Sequence, residues 1–220
     1  MKKIMMIAAM MVAAVTANAQ NEVGQITLKP TVGLNIATMT KIDGSKVRPG
    51  FIAGVEAEYG VAENFGITAG IFYSQQGAKE SGEININRWI EGERVGVKFK
   101  GDATNKLDYI NIPIMAQYYV VPGLAIKAGI QPGFLVTKKA KYDGTLTAVV
   151  AGESASKPYT ESVTISDAKG FAFAIPVGLS YEYANFVLDA RYNIGVTKAI
   201  KEYDCRHSVF SFTLGYKFAL

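Results

Sequence analysis

The sequence predicts an all-β fold, an eight-stranded antiparallel up-and-down barrel that crosses a membrane with its strands. Three observations carry that expectation. Apolar residues recur at every second position over eight separate segments, the connections between those segments alternate between short and long, and aromatic residues gather at the segment ends.

Residues 1–19 stand apart from the fold. Lys2 and Lys3 precede an unbroken apolar run from Ile4 to Val15, and Ala17-Asn18-Ala19 places small residues where a signal peptidase reads them. The expected organisation is a cleaved signal peptide over 1–19 and a barrel domain over 20–220. No cysteine would stand at the new N-terminus, which argues against a lipoprotein. Loss of Lys2 and Lys3 lowers the formal charge from +4 to +2, too small a balance to imply nucleic-acid binding. Cys205 is the only cysteine, so no intramolecular disulfide is available, and it is expected to be an incidental exposed thiol. After Gln20 no apolar stretch reaches the roughly twenty residues of a transmembrane helix, so entry into a membrane requires a barrel.

The segments follow in order. The first three are 26–36, 51–59 and 65–75, with Phe72 an exception on the polar side of the third. In the fourth, Ile110, Ile112, Ile114, Ala116 and Tyr118 alternate with Asn111, Pro113, Met115, Gln117 and Tyr119. In the fifth, Leu124, Ile126, Ala128 and Ile130 alternate with Ala125, Lys127, Gly129 and Gln131. The last three are cleanest. Phe171, Phe173, Ile175, Val177 and Leu179 share one side, then Phe186, Leu188, Ala190, Tyr192 and Ile194, then Phe210, Phe212, Leu214, Tyr216 and Phe218. Each has about the 9 to 11 residues that cross a bilayer when tilted.

Connections 59–65, 120–124 and 183–186 are tight, whereas 38–50, 78–106, 138–170 and 198–207 are long and polar. Outer-membrane barrels keep short turns in the periplasm and long loops outside the cell. Tyr59, Phe65, Tyr118, Tyr181, Tyr183, Phe186, Tyr216 and Phe218 fall at the short-turn ends, and Phe51, Tyr73, Phe134, Phe171 and Phe210 at the long-loop ends. These are the two girdles expected of interfacial aromatics.

The opposite side of the strands faces a lumen that eight strands make just wide enough to be filled by side chains. It holds Lys29, Lys127, Arg191 and Lys217 with Glu56, Glu58, Glu182 and Asp189. Buried charge on that scale requires pairing. Inward glycines, Gly54, Gly70 and Gly215 among them, leave room for long side chains opposite. The expected interior is a polar plug without an open pore.

No catalytic, cofactor-binding or metal-ligating residue is assigned, and an enzyme is not expected. His207 is the only histidine, and Asp204 and Ser208 beside it invite a triad reading. Neighbours on one strand point to opposite faces and rarely converge, so a polar cluster at the loop rim is expected instead. One cysteine beside one histidine does not complete a metal site.

Function is expected in the long loops. Asn85-Ile86-Asn87-Arg88-Trp89-Ile90 and the renewed alternation to Lys100 suggest a β-arm above the membrane, with Trp89 either a partner anchor or a packing residue. Thr145-Leu146-Thr147-Ala148-Val149 suggests a second arm, whose edge would be able to take up a strand from another protein.

Val32-Gly33-Leu34-Asn35, Leu107-Asp108-Tyr109-Ile110-Asn111-Ile112-Pro113 and Leu188-Asp189-Ala190-Arg191-Tyr192-Asn193-Ile194-Gly195 resemble the PorT-like outer-membrane β-barrel proteins over essentially the whole mature chain. The resemblance implies a barrel of this type. Its namesake belongs to the type IX secretion machinery, which implies an alternative role in a secretion or transport assembly. Tyr216-Lys217-Phe218 near the terminus resembles the signal read by the barrel-insertion machinery. The expected partners are outer-membrane lipid, that machinery during biogenesis, and an extracellular or secretion-system protein. A soluble calycin-type periplasmic barrel is a third alternative, and it needs the reverse polarity, an apolar lumen inside a polar wall.

Overall fold

Period-two alternation is realised as strand almost throughout a computed structural model that describes residues 23–42, 44–90, 93–150 and 153–220. The expected signal peptide lies outside the described residues. The strands are β1 (Ile26–Met39), β2 (Ser45–Lys46), β3 (Arg48–Ala62), β4 (Phe65–Ile90), β5 (Glu93–Asn111), β6 (Ile114–Val121), β7 (Leu124–Val150), β8 (Glu153–Thr164), β9 (Phe171–Tyr183), β10 (Phe186–Gly195), β11 (His207–Tyr216) and β12 (Phe218–Ala219).

These strands form a closed ring of eight antiparallel staves. Going round, the staves are β1, β3, the first half of β4, the end of β5 with β6, the first half of β7, β9, β10, and β11 with β12. Pairing of β1 with β11 and β12 closes the ring. Two short breaks have local causes. Pro113 between β5 and β6 has no N–H to donate, yet its carbonyl accepts the Gly70 N–H at 3.0 Å, so the stave continues. The two-residue turn between β9 and β10 is Ala184-Asn185 with φ 47° and 69°, both left-handed, which matches the twist of the flanking strands.

The strands are longer than a bilayer crossing needs. β4 runs for 26 residues and β7 for 27. The segments expected as long connections at 78–106 and 138–170 are therefore mostly strand. The upper half of β4 pairs with β5, β5 with β7, and β7 with β8. Together they make a four-stranded arm that extends the wall past the ring.

Around the ring the outer surface is apolar, with Leu34, Ile71, Leu179, Leu188 and Phe212 all exposed. The aromatic girdles form as expected, and several pair across strands: Phe134 with Phe171 at 5.7 Å, Phe51 with Tyr73 at 5.4 Å, Phe186 with Tyr216 at 5.1 Å.

The lumen is polar and layered, the reverse of a calycin, so the soluble-barrel alternative is overturned. Nearest the short turns, Lys217 Nζ lies 3.1 Å from Glu58 and 2.8 Å from Glu182, and Gln117 and the Tyr119 hydroxyl donate to Glu58. The next layer centres on Glu56, which takes Lys29 at 2.7 Å and Lys127 at 2.8 Å on one oxygen and Arg191 at 2.5 Å on the other. Asp189 also bonds Lys127 and Arg191. The first layer holds one cation and two carboxylates, the second three cations and two carboxylates, so the excesses cancel between adjacent layers. All eight expected ionic groups face inward.

Phe72 is no irregularity. Its buried ring lies under the Arg191 guanidinium at 5.7 Å, and a Cβ on Gly54 or Gly70 would come within 2.7 or 2.6 Å of it. The two glycines are vacant space for that ring. Above it, Asn35, Ser74, Gln76, Asn193 and Ser211 are joined in one hydrogen-bonded network. A cavity of about 20 Å³ beside Gln76, Asn111, Gln131, Asn193 and His207 has room for one water.

A further buried pair, Arg48 with Asp108 at 3.0 Å, was not expected. Leu107, Asp108 and Tyr109 are all buried: Leu107 and Tyr109 face inward by parity, Asp108 is covered by Arg48 and by the Tyr73 hydroxyl that donates to it, and a bulge at Val136 of β7 lies opposite. The mouth above is closed by Met39, Ala78, Leu107, Tyr109, Ala168, Ala199 and Cys205, with Ile42, Ile165 and Ile200 packed against them.

Candidate functional site

Beyond the ring the wall changes polarity. Alternation continues without a register shift along β4 and β5, so Ile84 and Ile86 lie on the same side as Phe72 and Ser74. Val97 and Phe99 are their cross-strand partners. On β7 the bulge moves the inner side to even positions, bringing Tyr142 and Leu146 to that face, and Tyr159 and Glu161 follow on β8. The lumen side of the wall, polar within the ring, becomes apolar in the arm.

The other face of the arm makes the complementary change. Below, it carries Ile71 and Tyr73; above, it carries Lys79 bonded to Asp102 at 2.8 Å, Lys98 to Glu83 at 2.8 Å and Lys141 to Asp143 at 2.9 Å. Thr147 and Ser156 share a hydrogen bond on the same face. Hydrogen bonds from Lys98 and then Asn85 hold the Glu83 carboxyl below the usual range. Lys79 does so for Asp102, and Lys141 for Asp143. An ion-paired outer face belongs in water, so the reversal marks the level at which the wall leaves the bilayer.

The apolar face is open. Ile84 is 58% and Ile86 53% exposed, and a groove of about 300 Å³ runs between them, Val97, Phe99, Leu146 and Tyr159. Phe99 and Tyr159 meet edge to face at 5.8 Å, and the Phe99 ring crowds Gly144 in the floor. An apolar, aromatic patch on the aqueous part of a protein marks an interaction surface.

The residues of the triad reading do not converge. His207 is buried in the mouth with Nε2 3.1 Å from the Tyr109 hydroxyl. Asp204 is exposed and bonded to Lys41, and Ser208 shares a hydrogen bond with Tyr192 at 2.9 Å. His207 is thus not part of a rim cluster. Cys205 is also corrected: it is fully buried in the apolar closure of the mouth, not exposed. It is expected to resist maleimide in the folded protein and to react on unfolding, as read by mass shift; equal reaction rates in both states would contradict the burial. Trp89 pairs with Arg94 near the β4–β5 tip, and its side chain lies outside the described residues.

The apolar arm face was not expected from the sequence. Its signal was the unbroken parity from Phe72 through Ile84 and Ile86, which a division into strand and loop conceals.

A family model described as "Outer membrane protein beta-barrel domain" matches residues 18–201, well over half of the chain. The chain belongs to that family. As an outer membrane protein beta-barrel it resides in the outer membrane. Among solved structures, Ail, the attachment invasion locus protein of Yersinia pestis, is 15% identical at a TM-score of 0.45, covering 90% of this chain and 100% of that one. Neisserial surface protein A is 11% identical at 0.41, with 88% and 96% covered. OprG of Pseudomonas aeruginosa is 10% identical at 0.35, with 93% and 99% covered. No curated protein matches the sequence.

Proposed function

We propose that this outer-membrane barrel is non-enzymatic and carries a packed polar interior in place of a pore. Its work is then done by the extracellular arm, as a surface for adhesion or partner binding. The polarity reversal carries this reading. A face bearing Ile84, Ile86, Val97, Phe99, Leu146 and Tyr159 is unfavourable in water, and covering it with another molecule lowers the free energy. The chain is delivered there by cleavage of residues 1–19 and insertion of the C-terminal strand by the barrel-insertion machinery.

The test is adhesion of cells displaying the intact protein or the Ile86→Lys, Leu146→Lys double variant to cultured cells and to immobilised matrix proteins. Gel mobility without boiling checks that the barrel is folded. Adhesion is expected to fall several-fold with the fold retained; undiminished adhesion overturns the reading.

The secretion-assembly alternative rests on the PorT-like resemblance. Asn35, Asp108, Asn111, Asp189, Arg191 and Asn193 in those motifs are buried inside the barrel. They support a shared interior, which two barrels can have without sharing a machine.

A further inference from the structure

We propose that the arm binds a partner polypeptide as an added strand along the free edge of β4, at Ser81 to Asn87. The proposal rests on the partner-binding reading above and deepens it by naming the surface and the form of the occupant.

The edge exists because neighbouring hairpins differ in height. The β1–β3 connection turns over at residues 40–47, and its short strand β2 covers β4 only at Lys79 and Glu80. Among the described residues, β4 above that point pairs with β5 alone. The direction of its main-chain groups follows from the ladder. Gly70 N–H donates to Pro113 in the register that continues up to Ile90, and an antiparallel ladder alternates sides residue by residue. Even-numbered residues therefore bond towards β5. Ser81, Glu83, Asn85 and Asn87 turn both N–H and C=O outward along roughly 20–25 Å of edge, with no proline between them.

The other arm edge is closed by chemistry. Ile165 N–H donates to Lys138 O, which by the same alternation turns the odd residues of β8 towards β7 and the even ones outward. Pro158 is one of these outward residues and has no N–H to offer. Prolines at such positions blunt a sheet edge. One arm edge is protected and the other is not.

A second copy does not fit the open edge. In one membrane both copies of β4 rise in the same direction, so a two-fold along the membrane normal would pair them in parallel and turn opposite arm faces to the same side. Pairing β4 with a neighbour's β8 has the right direction but meets Pro158, and would propagate an open chain. A segment from a different protein has neither constraint. It would run antiparallel to β4, down towards the membrane on the line of β2 and β3. Its alternate side chains, apolar beside Ile84 and Ile86 and polar beside Asn85 and Asn87, would extend both faces of the arm.

The test uses the full barrel in phospholipid nanodiscs and a short synthetic peptide of alternating valine and threonine. Amide exchange is followed by NMR. Peptide binding is expected to slow exchange at Ser81, Glu83, Asn85 and Asn87 by about tenfold or more, while Ile84 and Ile86, already in the β4–β5 ladder, stay unchanged. Asn85→Pro, which copies on β4 what Pro158 does on β8, is expected to abolish peptide binding with the unboiled gel mobility retained. Pro158→Thr is expected to add a second site, read as new protection on β8. Absence of protection at the β4 edge, peptide binding retained by Asn85→Pro, or dimers of the barrel joined through β4 would each overturn the proposal. Adhesion lost in the apolar-face variants, with no protection at this edge, would overturn the edge and leave the wider reading standing.

Discussion

Replacing Glu56 with alanine is expected to be the most damaging single change in the barrel. Glu56 accepts from Lys29, Lys127 and Arg191, and its removal leaves three cations facing Asp189 alone in a layer closed to water. Taking one partner from a buried ionic cluster costs about 3–5 kcal/mol because the remaining charges keep their desolvation penalty. The loss should appear as a lower urea midpoint for the unboiled, fast-migrating gel form. Glu56→Gln retains the size and one acceptor oxygen but loses the charge and the second acceptor, since its NH2 donates where Lys29, Lys127 or Arg191 also donate, so it separates packing from the ionic contacts. A Glu56→Ala barrel as stable as the parent would mean that water reaches this layer.

The second large effect is expected on the lipid face. Val177 sits at the middle of β9 in the outward column with Phe173, Ile175 and Leu179. Arginine there should cost about 2–4 kcal/mol, as charge near a bilayer midplane does. The same change at Ile84, which is equally apolar and more exposed, falls on the aqueous arm and should stay within roughly 0.5 kcal/mol. Urea unfolding from lipid vesicles compares the two. Equal costs would place both residues in one environment and contradict the polarity reversal.

The contrast between these positions shows why some of the molecule was legible in the sequence. Lys29, Glu56, Lys127 and Arg191 could be assigned inward because each lies in a strand with one greasy side, where period two leaves a single choice. The eight staves, tight turns and girdles follow from the same rule. Arg48 and Asp108 escaped it: Asp108 is buried against its parity under Arg48 and the Tyr73 hydroxyl, and Arg48 lies where a loop was expected. The site was less legible than the fold. Ile84 and Ile86 alternate as cleanly as Ile175 and Val177, but alternation does not say which side meets lipid, lumen or water.

The sequence by itself determined the all-β class, the number of staves, the short-turn and long-loop ends and the inward charges, since these depend on local spacing and on the demand that backbone groups in a bilayer be paired. Only the tertiary structure decided the rest. The burial of Cys205 depends on Ile42, Ile165 and Ile200, residues distant in sequence, meeting over one mouth. The arm depends on β4, β5, β7 and β8 holding register beyond the ring, and its open edge on the β1–β3 hairpin being shorter than its neighbour. Such features arise from differences in length and register between strands, and no strand carries them alone.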